Sequence, residues 1–116
     1  MTETRTAGRV LYDRQIQFLL DKDAEGLIDT NYAPDAELIS FQTVVKGRAA
    51  LKTYFQGYIE MLGDLVVEST DKFAETDDAI FFEATVRSAL GRARVYDAWT
   101  IHDGLITHHF TGVMGT

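Results

Sequence analysis

The chain has no cysteine, one proline and one tryptophan in 116 residues, and its 11 Lys and Arg are outnumbered by 18 Asp and Glu. Without cysteine there are no disulfides and no thiolate chemistry. A net charge of −7 repels phosphate backbones and leaves no basic stripe, so nucleic acid is not an expected partner. No apolar run approaches the roughly 20 residues of a membrane-spanning helix, and no membrane association is expected. The N-terminal stretch MTETRTAGRV lacks the basic-then-apolar order of a secretory leader, which predicts a cytoplasmic location.

The hydrophobic content of 46% supports one modest core, and the length predicts a single domain over residues 1–116. Residues 3 to 21 place Val10, Leu11, Arg14, Phe18 and Leu19 at helical spacing. Asp23 is suited to cap a short second helix through Leu27 and Ile28. NYAPD (31–35) ends that helix, because the residue before Pro34 disfavours the helical region. Glu37 to Phe41 reads as a short strand. Gly47 opens a third helix, with Leu51, Tyr54, Phe55, Tyr58 and Leu62 at helical intervals, and Gly63 stops it.

From Leu65 onward four strand-like runs are separated by ETDD (75–78), Leu90-Gly91 and Asp103-Gly104. Three helices ahead of an antiparallel meander predict an α+β fold, with helices covering one face of a curved sheet. Alternation along the third run sends Val95, Asp97, Trp99 and Ile101 to one face. Asp97 is the anomaly, an acid on an apolar face. Two-residue turns at Leu90-Gly91 and Asp103-Gly104 pair Ala84 with Asp97, Phe82 with Trp99, Trp99 with His108 and Asp97 with Phe110. In that register His108 lies diagonal to Asp97, within side-chain reach, and His109 points to the other face.

Each of these residues also has a plainer reading. Asp97 could be a structural acid satisfied by backbone or water, or a pocket-lining residue without chemistry. His108 could be a core or interface histidine. Adjacent strand histidines diverge and no third ligand has suitable spacing, so no metal site is expected. Tyr54, Phe55 and Tyr58 suit core and pocket wall better than a cofactor site. Glu83, Arg87, Arg94 and Tyr96 alternate onto an outer, polar face. ETDD lacks the glycine turn of a calcium loop and reads as a solvated hairpin.

The order of elements, NYAPDAELISF leaving a helix, the helix start GRAALKTYF and the ending YDAWTIHDGLITHHF resemble the SnoaL-like proteins, within the superfamily of nuclear transport factor two and ketosteroid isomerase. The resemblance spans nearly the whole chain and implies a cone-shaped α+β barrel around an apolar pocket, with a homodimer as the common assembly. In ketosteroid isomerase an aspartate base moves the proton while a tyrosine and a neutral aspartic acid hold the oxyanion. Asp97 matches the neutral acid. The base position holds Ser40, and the tyrosine position holds Ile16, with Tyr12 one turn away, so that mechanism lacks two of its three parts. The arginine that bridges two aspartates in limonene epoxide hydrolase is also missing, since Val95 is the inward neighbour of Asp97.

The resemblance therefore leaves an Asp97/His108 pair in general acid–base catalysis without metal or organic cofactor, as an isomerase, cyclase or dehydratase. The expected ligand is a small apolar carbonyl or ring compound, held by Tyr12, Ile16, Ser40, Tyr54, Tyr58, Phe82, Ala84, Trp99 and Phe110. The competing reading is a non-catalytic small-molecule-binding or dimerisation module. A cavity of roughly 300 Å³ or more with Asp97 in its wall would favour the former.

Overall fold

A computed structural model describes residues 5–115. Helix α1 (Ala7–Leu20) begins at Thr6, whose hydroxyl accepts from Arg9 N; the expected start at residue 3 lies outside the described residues. Its buried face is Gly8, Leu11, Tyr12 and Gln15, while Val10 and Arg14 are exposed. The apolar stripe is thus rotated from the expected one, and it carries a glutamine. Helix α2 (Ala24–Asn31) is capped by Asp23, which accepts from Gly26 N at 2.9 Å. Helix α3 (Arg48–Leu62) runs between Gly47 and Gly63, both at positive φ, where a glycine avoids Cβ strain.

Strand β1 (Tyr32–Ile39) starts five residues earlier than the sequence suggests and includes Pro34. Proline is tolerated because pairing to the neighbouring strand breaks between Tyr32 and Glu37, so the missing N–H interrupts no ladder bond there. Phe41 lies beyond the strand, 93% exposed. A short strand β2 (Val44–Lys46), not anticipated from the sequence, returns antiparallel to β1. Then follow β3 (Val66–Glu75), β4 (Ala79–Ser88), β5 (Gly91–His102) and β6 (Leu105–Gly115), all antiparallel to their chain neighbours. The sheet order is β2-β1-β6-β5-β4-β3, and β1 joins β6 in parallel, so the six-stranded sheet is mixed.

One core joins all layers. Leu11 and Tyr12 of α1, Leu27 and Ile28 of α2, and Leu51 and Phe55 of α3 pack against Phe82, Trp99 and Ile106 of the sheet. Trp99 is edge-on to Phe82 at 5.3 Å, an arrangement favoured by the ring quadrupoles.

The register differs from the expected one in two ways. At the β4–β5 hairpin the turn is Ala89-Leu90, not Leu90-Gly91, so Asp97 pairs with Phe82 and Ala84 with Val95. This two-residue slide preserves faces. At the β5–β6 hairpin Ile101 pairs with Ile106 as expected, but the next pair is Thr100 with His108, leaving Thr107 as an extra bulged residue. Its hydroxyl meets Thr100 Oγ1 at 2.6 Å and donates to the Thr100 carbonyl at 3.2 Å. A bulge re-aims every later side chain. His109 therefore turns inward opposite Trp99, and His108 and Phe110 turn outward.

Candidate functional site

The inner sheet face, α1 and α3 enclose a cavity of about 460 Å³. Ile16, Tyr54, Tyr58, Phe82, Ala84 and Trp99 line it, as the sequence suggested, together with Asp97. Tyr12, Ser40, His108 and Phe110 do not. Tyr12 is buried beside the cavity, edge-on to Phe82, with its hydroxyl 2.6 Å from Thr70 Oγ1. Ser40 closes the β1–β2 turn, its Oγ accepting from the amides of Gln42 and Thr43. His108 lies outside, 3.3 Å from Glu37 and 3.0 Å from Thr100.

His109 replaces it. Its Nε2 lies 2.6 Å from Asp97 Oδ1, and the two side chains are only 6% and 13% exposed. Asp97 Oδ2 has no protein partner among the described residues. Asp97 is also the only Asp, Glu, Lys or Arg among the described residues lining the cavity. On its far side His109 Nδ1 lies 2.8 Å from the hydroxyl of fully buried Tyr32. Gln15 Nε2 donates to the same hydroxyl at 2.9 Å, Asn31 Nδ2 donates to Gln15 Oε1 at 3.0 Å, and Arg14 Nε donates to Asn31 Oδ1 at 2.6 Å. Gln15 and Asn31 are buried polar residues that find their partners in each other.

Across the cavity Tyr54 and Tyr58 stack with ring centroids 6.2 Å apart. Neither hydroxyl has a hydrogen-bond partner among the described residues. Burial, and then the nearby Asp97 charge, push the Tyr58 phenol up to about 12 and raise that of Tyr54. Burial also raises Tyr32, opposed in part by the Gln15 hydrogen bond, with the Asp97 charge adding a smaller upward push. The phenols are therefore protonated donors at neutral pH. Phe41 and Val113, both exposed, stand among the lining residues where the cavity meets solvent. No cluster of three His, Cys, Asp or Glu suited to a metal occurs among the described residues, and none of their helices is long and apolar enough to cross a membrane.

The helix-wrapped curved sheet that carries this site has known relatives. The SnoaL-like domain family model matches residues 12–109. The chain belongs to the SnoaL-like family. Among solved structures it is similar to TerC co-crystallised with polyporic acid, at 18% identity and a TM-score of 0.77, with 93% of this chain and 92% of that chain covered. An NTF2-like protein from Anabaena variabilis matches at 16% identity and TM-score 0.77, covering 100% and 96%. A protein from Sinorhizobium meliloti provisionally named a polyketide cyclase matches at 16% identity and TM-score 0.77, covering 93% and 100%. At these identities the likeness concerns the fold. No curated protein matches the sequence.

Proposed function

We propose that this protein is a cofactor-independent general acid–base enzyme of isomerase, cyclase or dehydratase type, acting on a small apolar carbonyl or ring compound. The observation that carries the reading is Asp97, an acid with one oxygen held by His109 and the other free, in the wall of an apolar cavity of about 460 Å³. Asp97 Oδ2 takes a proton from the carbon beside a carbonyl, and the electron pair moves onto the carbonyl oxygen. A phenol of Tyr54 or Tyr58 donates a hydrogen bond to that oxygen. Returning the proton to another carbon isomerises the compound, attack of the enolate on a second carbonyl closes a ring, and loss of a β-hydroxyl as water dehydrates it. Positioned proton transfer of this kind contributes roughly 10²- to 10⁴-fold.

His109 takes the partner role assigned to His108 by the expected register. Ile16, Tyr54, Tyr58, Phe82, Ala84 and Trp99 form the walls. The polyporic acid of TerC and the cyclase name of the Sinorhizobium protein support a ring-compound ligand. A non-catalytic module is favoured by a different feature: Phe81, Ala98 and Phe110 are paired in one row on the outer sheet face, and both phenylalanines are exposed, which suits a homodimer seam. The two readings are separated by incubating hydrophobic ketones, lactones and ring compounds with the protein in D₂O. Deuterium incorporation next to a carbonyl, lost in Asp97→Asn, supports the enzyme. Ligands that shift thermal stability and Trp99 emission without exchange or conversion support the module.

A further inference from the structure

The hydrogen bonds behind Asp97 run in one direction. Arg14 can only donate, so the atom of Asn31 that meets its Nε–H is an acceptor, Oδ1. The Asn31 amide is thereby oriented and presents Nδ2–H to Gln15 Oε1, and Gln15 in turn presents Nε2–H to the Tyr32 hydroxyl. Tyr32 is fully buried, and among the described residues His109 Nδ1 is the one acceptor within reach of its proton, so donation there avoids a stranded O–H and leaves Nδ1 the bare nitrogen. Nε2 carries the proton, which Asp97 Oδ1 accepts. The chain starts at a group that cannot accept, and satisfying each buried donor along it gives one consistent direction from Arg14 to Asp97.

We infer that Gln15, Asn31 and Tyr32 are positioning residues that fix His109 as the Nε2–H tautomer and thereby hold Asp97 with one oxygen bonded and the other presented to the cavity. The inference rests on the reading of Asp97 as the base. Five elements build the chain: Arg14 and Gln15 from α1, Asn31 from the end of α2, Tyr32 from the start of β1, His109 from β6 and Asp97 from β5. An apolar core of the same shape would avoid the desolvation of three buried polar side chains, so packing alone does not account for it. Directionality also makes the chain reversible as a unit. If residue 15 presents only acceptors to Tyr32, the hydroxyl turns toward them and Nδ1 must carry a proton. His109 then either faces Asp97 with a bare Nε2 or becomes a cation.

Two near-isosteric substitutions produce this reversal. Gln15→Glu places a carboxylate against Tyr32. Asn31→Asp keeps the Arg14 contact but removes the donor to Gln15 Oε1, so the Gln15 amide turns round; it serves as the second variant should Gln15→Glu not fold. The measurement is the ¹⁵N spectrum of histidine-labelled protein at pH 8, without ligand. Wild type should show His109 protonated at Nε2 and bare at Nδ1, and both variants should show a protonated Nδ1. Deuterium exchange into a saturating ketone found active with wild type should fall by at least about tenfold in each, a share of the general-base contribution. A protonated Nδ1 in wild type, a bare Nδ1 in both variants, or a changed tautomer with unchanged exchange would overturn the inference. Unchanged exchange in Asp97→Asn would instead overturn the base assignment, and the tautomer result would stand apart from it.

Discussion

His109 Nε2 lies 2.6 Å from Asp97 Oδ1, whereas the adjacent His108 faces the other side of the sheet and meets Glu37 at 3.3 Å. Truncation of the two histidines should therefore differ sharply in cost. His109→Ala strands the Tyr32 hydroxyl and an Asp97 oxygen in a buried site, at a cost of about 1–3 kcal/mol for each group left unpaired. His108→Ala removes an exposed contact and should change stability by less than about 1 kcal/mol. Urea denaturation of the two variants measures both values.

A second prediction concerns the strand that carries His109. A Cβ at Gly112 would run into the ring of Tyr96, its cross-strand partner. Gly112→Ala should therefore destabilise the protein by about 1–3 kcal/mol, as overpacking does. In a Tyr96→Ala background the same substitution should cost much less, and a double-mutant cycle by urea denaturation measures the difference.

The tyrosines around the cavity should titrate late. Burial is the main cause for Tyr58, pushed up to about 12, and the Asp97 charge adds to it. A phenol whose folded pKa exceeds its unfolded value near 10 contributes stability that is intact below pH 10 and is lost as pH rises toward about 12. Spectrophotometric titration at alkaline pH should show these late phenols, and Asp97→Asn should move Tyr58 and Tyr54 downward while leaving the larger effect of burial in place.

The cavity itself can be narrowed. Ala84 is buried, lines the cavity and pairs with Val95. Ala84→Leu should weaken a ligand seen by Trp99 emission by at least about tenfold, or 1.4 kcal/mol. Fluorescence titration of both proteins with the same ligand gives the comparison.

Much of this fold was legible in the sequence because local chemistry set it. Gly47 and Gly63 bound α3, Asp23 caps α2, and Asp103-Gly104 closes the last hairpin. Asp97 was visible as an acid among Val95, Trp99 and Ile101, and it does line the cavity. Its partner is hidden in the sequence, because Ile106, His108 and Phe110 alternate as a regular strand would, and only the Thr107 bulge, braced by Thr100, shifts the inward position to His109. A bulge is a property of pairing, and alternation within one strand does not encode it. Tyr32 was hidden for a similar reason: it meets His109 across 77 positions of sequence, from a strand whose proline suggested a turn. Gln15 did leave a signal. It sits on the stripe of Gly8, Leu11 and Tyr12, a polar residue on an apolar helix face, as Asp97 is on an apolar strand face.

The measurement that bears most directly on the central claim is deuterium incorporation from D₂O into a ketone bound by the cavity, followed by NMR for wild type, Asp97→Asn, His109→Ala and His108→Ala side by side. The dyad account predicts exchange in wild type and His108→Ala, with losses of roughly 10²-fold or more in Asp97→Asn and clear losses in His109→Ala. Equal exchange in all four proteins, or a loss confined to His108→Ala, would contradict it.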